Sequence, residues 1–163
     1  MQNTKALIRV VIDTNLIIAG RYKPRSASNR IIDMCIEQKL LAVYSGKTKD
    51  ENIFILQKVR PPAEYLSKII KFYSKAMYVP KPTTRINICS DRSDNKYFEA
   101  AIAGQARYII SNDHHLLEHD GYYSIGVMRP GSFLRSLGKD KAKPDDAESE
   151  SKRPERNKGF FEF

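Results

Sequence analysis

Short β-branched apolar runs take turns with helix-length amphipathic stretches from residue 6 to residue 137, and this alternation restricts the fold more than any other feature. Ala6 to Ile12, Leu40 to Tyr44, Tyr108 to Ile110 and Ser124 to Met128 predict four strands, each short and closed by polar or turn-forming residues. Ser26 or Ser28 caps a helix whose apolar positions Ile31, Ile32, Cys35 and Ile36 recur at spacings of three and four. Thr48 to Val59 predicts a second helix with Ile53, Leu56 and Val59 on one face, stopped by Pro61-Pro62. Ala63 to Lys75 predicts a third that buries Leu66, Ile69, Ile70 and Tyr73, and Pro80 and Pro82 then mark a connector. Asp94 opens a helix carrying Phe98, Ala101 and Ile102, a short helix follows Asp113, and a last one runs from Pro130 to about Leu137. Strands separated by helices are joined by crossovers rather than hairpins, which produces parallel pairing with helices packed on both faces. The expected fold is an α/β domain, a three-layer α/β/α sandwich around a central parallel sheet.

With 163 residues the chain is long enough for one domain and marginal for two. The expected division is a folded domain over 1–138 and a charged, disordered tail over 139–163, because from Lys139 onward almost nothing is apolar until Phe160. Seven basic and seven acidic residues cancel within that tail, so the whole net charge of +9 belongs to the folded part. A compact domain with that excess attracts polyanions. No apolar run approaches a membrane span, and no leader-like segment follows Met1, so the chain reads as cytoplasmic. Cys35 and Cys89 stand too far apart for a CxxC motif and read as small buried thiols.

The informative residues are acids. Asp13 and Asp113 each follow a predicted strand, and Asp94 stands at a helix start within Ser90-Asp91-Arg92-Ser93-Asp94-Asn95. Ligands of open parallel sheets bind in the crevice beyond the carboxyl ends of the strands, where these acids can converge. Several carboxylates share a small site when a cation offsets their repulsion, and hard oxygen donors select Mg²⁺ or Mn²⁺. The plainer alternative is that each Asp caps a helix. His115 and His119, four residues apart on a short helix, read as exposed surface rather than ligands.

At three stretches the chain resembles the PIN-domain nucleases, in particular the VapC-like toxin components of toxin-antitoxin pairs. These are Val10-Val11-Ile12-Asp13-Thr14-Asn15-Leu16-Ile17, Ser90 to Phe98, and Ala106 to Leu117 with Ile110-Ser111-Asn112-Asp113 at its centre. The resemblance spans about residues 7 to 137. It implies that Asp13, Asp94 and Asp113 bind metal, with Asn15 and Ser111 orienting them and Asp91 in a supporting position. A further family acid, about six residues beyond a Ser, falls on Glu51 after Ser45, where the resemblance implies a fourth metal-binding acid that assists a second ion, with neighbouring Asp50 as the alternative.

The implied activity is Mg²⁺- or Mn²⁺-dependent hydrolysis of RNA, with no Ser, His or Cys nucleophile needed. An antitoxin protein and a homodimeric state are the implied partners. Arg21, Lys23, Arg25 and Arg30 after the first acid, and Lys47 and Lys49 before Glu51, are candidate phosphate contacts. Tyr65, Phe72, Tyr73 and Tyr78 fit core or dimer packing better than base stacking. A catalytically degenerate module that binds RNA or protein, and a housekeeping RNA-processing nuclease, are the competing readings.

Overall fold

A computed structural model describes residues 5–140. The element order is β1 (Arg9–Ile12), α1 (Thr14–Ala19), α2 (Ala27–Ile36), β2 (Leu41–Ser45), α3 (Gly46–Val59), α4 (Ala63–Lys75), β3 (Met77–Val79), α5 (Asn95–Ala103), β4 (Tyr108–Ile110), α6 (His114–Leu117), β5 (Gly126–Met128) and α7 (Pro130–Asp140). All strand pairs are parallel, in the order β3-β2-β1-β4-β5. From β1 the chain builds outward first through β2 and β3, then crosses back to β4 and β5. This reversal opens a crevice between β1 and β4 at their carboxyl ends.

Alternation along the central strand divides the core in two. Val10 and Ile12 face one side, where they meet Leu16, Ile17, Ile31, Ile32, Ile69, Phe72 and Phe133 from α1, α2, α4 and α7. Val11 faces the other, with Ile109, Val127, Phe98, Ala101 and Leu116 from β4, β5, α5 and α6. The expected three layers are present. Phe98 has no exposed surface, and its replacement by Ala would cost about 3–5 kcal/mol. Both cysteines are buried, and burial pushes the Cys35 thiol up to about 12 and the Cys89 thiol to about 11.

Several sequence expectations shift. The connector expected around Pro80 is preceded by a fifth strand, β3, whose three residues continue the β2 ladder from Val43↔Met77 to Ser45↔Val79. The first and last strands are shorter than expected, and α7 runs on to Asp140 rather than ending near Leu137. In α3 the buried stripe is Thr48, Asn52 and Leu56, and Ile53 is exposed. In α4 Tyr65, Ile69 and Phe72 are buried, whereas Leu66 and Ile70 line an open groove between α3 and α4 with Ile53. Both helices carry more apolar residues than one stripe needs, so periodicity alone selects the wrong edge of the stripe. Of the aromatic group, Tyr65 and Phe72 pack in the core, Tyr73 is partly buried, and Tyr78 is exposed against Tyr44. Among the described residues no helix is long and apolar enough to cross a membrane. The tail beyond Asp140 lies outside the described residues.

Candidate active site

Asp13 is carried to the crevice by β1, whose last residue Ile12 pairs with Ile110 of β4. Its backbone N–H extends that ladder to Ile110 O (3.0 Å), and its side chain caps α1 by accepting the Asn15 N–H (3.3 Å). Ser111, one residue beyond β4, donates its hydroxyl to Asp13 Oδ2 (2.7 Å) and accepts the Asp113 N–H (2.9 Å). One serine thus fixes two acids that stand 100 positions apart in the chain. Asp113 in turn accepts the His115 N–H (2.9 Å) at the start of α6. Asp13 and Asp113 therefore cap helices, as the plainer sequence reading expects, whereas the Asp94 side chain makes no cap bond to α5.

The charges within the crevice are unbalanced. Burial pushes the buried Asp13 carboxyl above its usual value, outweighing the bonds from Ser111 and Asn15. Burial also raises Asp94, and the neighbouring carboxylates of Asp91, Asp113 and Asp13 push it further, to about 6, with Lys96 opposing. Asp91 is exposed, and its Oδ1 accepts the Ser93 N–H (2.9 Å), which shapes the turn that presents Asp94. The charges of Asp13 and Asp113 thus act on Asp94, but among the described residues the potential ligand atoms that lie within 4.8 Å of one another are those of Asp113, His114 and His115 rather than of the three aspartates.

Glu51 and Asp50 part company on α3. The helix starts at Gly46, two residues before the expected position, with Ser45 as its N-cap in a reciprocal capping box with Thr48. Adjacent residues differ by about 100° around a helix, and this phase turns Glu51 inward and leaves Asp50 exposed. Glu51 Oε2 receives the Tyr97 hydroxyl (2.7 Å) and the Lys96 ammonium (2.8 Å), with Thr14 Oγ1 at 3.1 Å. Burial opposes the charged form of Glu51, but the bonds from Lys96 and Tyr97 and the Lys96 charge prevail and hold it below the usual range.

Tyr97, Lys96 and Thr14 were not singled out by sequence. Thr14 sits between two motif residues and its hydroxyl also meets Asn52 and Tyr97, so its place in Asp13-Thr14-Asn15 was the available signal. Asn15 itself contributes only its backbone, its side chain being exposed.

The basic candidates divide. Lys47 lines an open cleft of about 690 Å³ together with Arg85, Arg92 and Lys96, three cations that sequence reasoning left out. Lys49 faces elsewhere, over the Tyr44 and Tyr73 rings and along the α3–α4 groove. Arg21 bonds to Ile18 O (2.7 Å) and stacks on Tyr22, and Lys23, Arg25 and Arg30 are exposed around the loop into α2. None of these four lines the cleft. His119 packs against the Phe98 ring, whereas His114 and His115 stand beside Asp113, their ligand atoms within 4.8 Å of one another.

The model of one family, the PIN domain, matches residues 9–115, from the start of β1 through Asp113. The chain belongs to the PIN domain family. As a PIN domain it is a nuclease, a phosphodiester hydrolase. It is 30% identical over 148 residues to the uncharacterized protein MJ1680 of Methanocaldococcus jannaschii, covering 83% of this chain and 95% of that protein. Two solved structures share the PIN fold with it. VapBC2 from Rickettsia felis, bound to a DNA fragment from its promoter, superimposes with a TM-score of 0.51 at 12% identity, over 74% of this chain and 97% of that one. PAE2754 from Pyrobaculum aerophilum gives 0.50 at 15% identity, over 81% and 90%.

Proposed function

We infer that this PIN domain is a Mg²⁺- or Mn²⁺-dependent endoribonuclease and the toxin of a toxin–antitoxin pair. What supports the reading is the placement of Asp13 and Asp113 just beyond the paired ends of β1 and β4, bridged by Ser111, with Asp94 raised by burial and by the charges of Asp91, Asp113 and Asp13. These three aspartates are the proposed metal ligands. A divalent cation bound there supplies a Lewis acid that polarises the phosphodiester and lowers the pKa of water.

The chain's own groups do the rest. Ser111 holds Asp13 and the Asp113 backbone in register, and the Asp91 turn presents Asp94. Glu51 completes the acidic edge from α3. Lys47, Arg85, Arg92 and Lys96 offer cations along the adjoining cleft, where an RNA strand's phosphates would lie. The reading extends to an antitoxin partner, on the strength of the VapC resemblance and the VapBC2 neighbour, and to a homodimer on the strength of the resemblance alone.

Incubation of metal-stripped protein with labelled RNA, with and without Mn²⁺, tests the activity. Cleavage that depends on the added ion and vanishes with EDTA is expected. Ion-independent cleavage, or none under any ion, would sink the reading. A small open reading frame beside its gene whose co-expression restores growth that the nuclease alone arrests is the expected sign of the toxin role, and a nuclease that arrests no growth would overturn it.

A further inference from the structure

Glu51 and the three aspartates share one sheet edge, yet Glu51 already has its cation. Lys96 is only 12% exposed, its ammonium lies 2.8 Å from Glu51 Oε2, and the Tyr97 hydroxyl reaches that same oxygen at 2.7 Å. The two donors are successive residues of the first turn of α5, and Asp94 immediately precedes that helix. Lys96 thus follows Asp94 by two residues and lines the cleft shared by Lys47, Arg85 and Arg92, with its ammonium 5.2 Å from the centroid of the Tyr97 ring. A carboxylate engaged by an ammonium and a phenol on one oxygen is poorly placed to take a second divalent ion, because that ion would have to displace a buried, paired lysine.

We propose that Lys96 occupies the position a second metal ion would take, so that this site binds one divalent cation on the aspartates and uses the Lys96 ammonium as its second positive charge toward the phosphate. Glu51 then acts as a positioning residue that aims Lys96, assisted by Tyr97 and Thr14. This rests on the metal-dependent nuclease reading. It assigns to an amine on this chain the charge that a two-ion site draws from solution.

The test is titration calorimetry of the full-length, metal-stripped protein with Mn²⁺, beside the Lys96→Met, Lys96→Arg and Lys96→Met/Glu51→Gln variants, each first checked by circular dichroism for an unchanged fold. Wild type and Lys96→Arg should bind one ion, Lys96→Met two, and the double variant one again. The same proteins titrated with a short single-stranded RNA in Ca²⁺ give a second reading. Loss of one phosphate-facing ammonium should lower the slope of log affinity against log salt by about 0.7 in Lys96→Met and leave it unchanged in Lys96→Arg.

Two ions on wild type, or one ion still on Lys96→Met, would overturn the proposal while leaving a metal-dependent nuclease in place. No ion on wild type would overturn the metal-dependent reading, and this inference with it.

Discussion

Two acids a few residues from the same sheet edge, Asp94 and Glu51, behave in opposite ways. Asp94 is pushed up to about 6 by burial and by three neighbouring carboxylates, whereas Glu51 is held low by Lys96 and Tyr97. The difference lies in their surroundings rather than in the carboxyl group. Where a site leaves negative charge unmatched it is built for a cation from solution, and where it supplies its own lysine it is already complete.

Breaking the unmatched side should have the largest effect. Asp94→Asn removes a ligand from the site and should lower Mn²⁺-dependent cleavage by about a thousandfold or more, consistent with several kcal/mol of metal-supplied stabilisation. RNA affinity measured by fluorescence anisotropy should hold or rise, since one negative charge beside the cleft is gone. Undiminished cleavage at limiting Mn²⁺ would remove Asp94 from the ligand set.

The matched side should be less sensitive. Glu51→Gln keeps the side chain's size and loses the charge that aims Lys96, so a loss of about 10- to 100-fold in activity is expected, the range typical of groups that orient a site from behind it. Asp50→Asn, one residue away and lining the cleft, should tighten RNA binding and leave the rate at saturating RNA unchanged in the same assay. Equal losses from both variants would mean that the α3 phase assigned to Glu51 is wrong.

The cleft gives a third contrast. Arg85→Glu with Arg92→Glu should weaken RNA binding and lower the slope of its salt dependence by about 0.7 for each phosphate that is no longer neutralised. Charge reversal at Lys23 and Arg25, which lie off the cleft, should change that slope less. Reversal of that ranking would move the RNA path to the loop before α2.

The smallest effect is thermal. Because the folded-state value of Asp94 lies above its ordinary 3.8, the metal-free protein binds that proton more tightly than the unfolded chain does. Its stability contribution is thus lost as pH rises from about 4 to about 6. Asp94→Asn mimics the protonated form, so its Tm should match wild type near pH 4 and exceed it at pH 7.5, and saturating Mg²⁺ should shrink the gap by stabilising only wild type.

The positions of the three aspartates at strand ends and a helix start were legible because each is announced locally, by a strand before it or a helix after it. The parallel three-layer fold was legible for the same reason, since helix-length spacers dictate crossovers. Strand β3 was not, because Met77–Val79 is three residues between Ala76 and Pro80 and its identity comes from pairing with Val43–Ser45. Lys96 and Tyr97 escaped notice because their partner Glu51 is 45 and 46 positions away, and nothing in the local pattern of α5 declares a polar contact across that distance. The polar stripe of Thr48 and Asn52 was hidden by the assumption that a helix buries its apolar face. Here the face turned toward the site is the buried one.

The central pairing of β1 with β4 joins residues close to 100 positions apart, Val10 to Tyr108 and Ile12 to Ile110. Closing so long a loop carries an entropic penalty that the finished core offsets. A chain emerging from the ribosome presents Asp13 and Glu51 while Asp94 and Asp113 have yet to be made. The cutting edge therefore has no partial form. Translation must pass Asp113 and the domain must close before the nuclease site is whole.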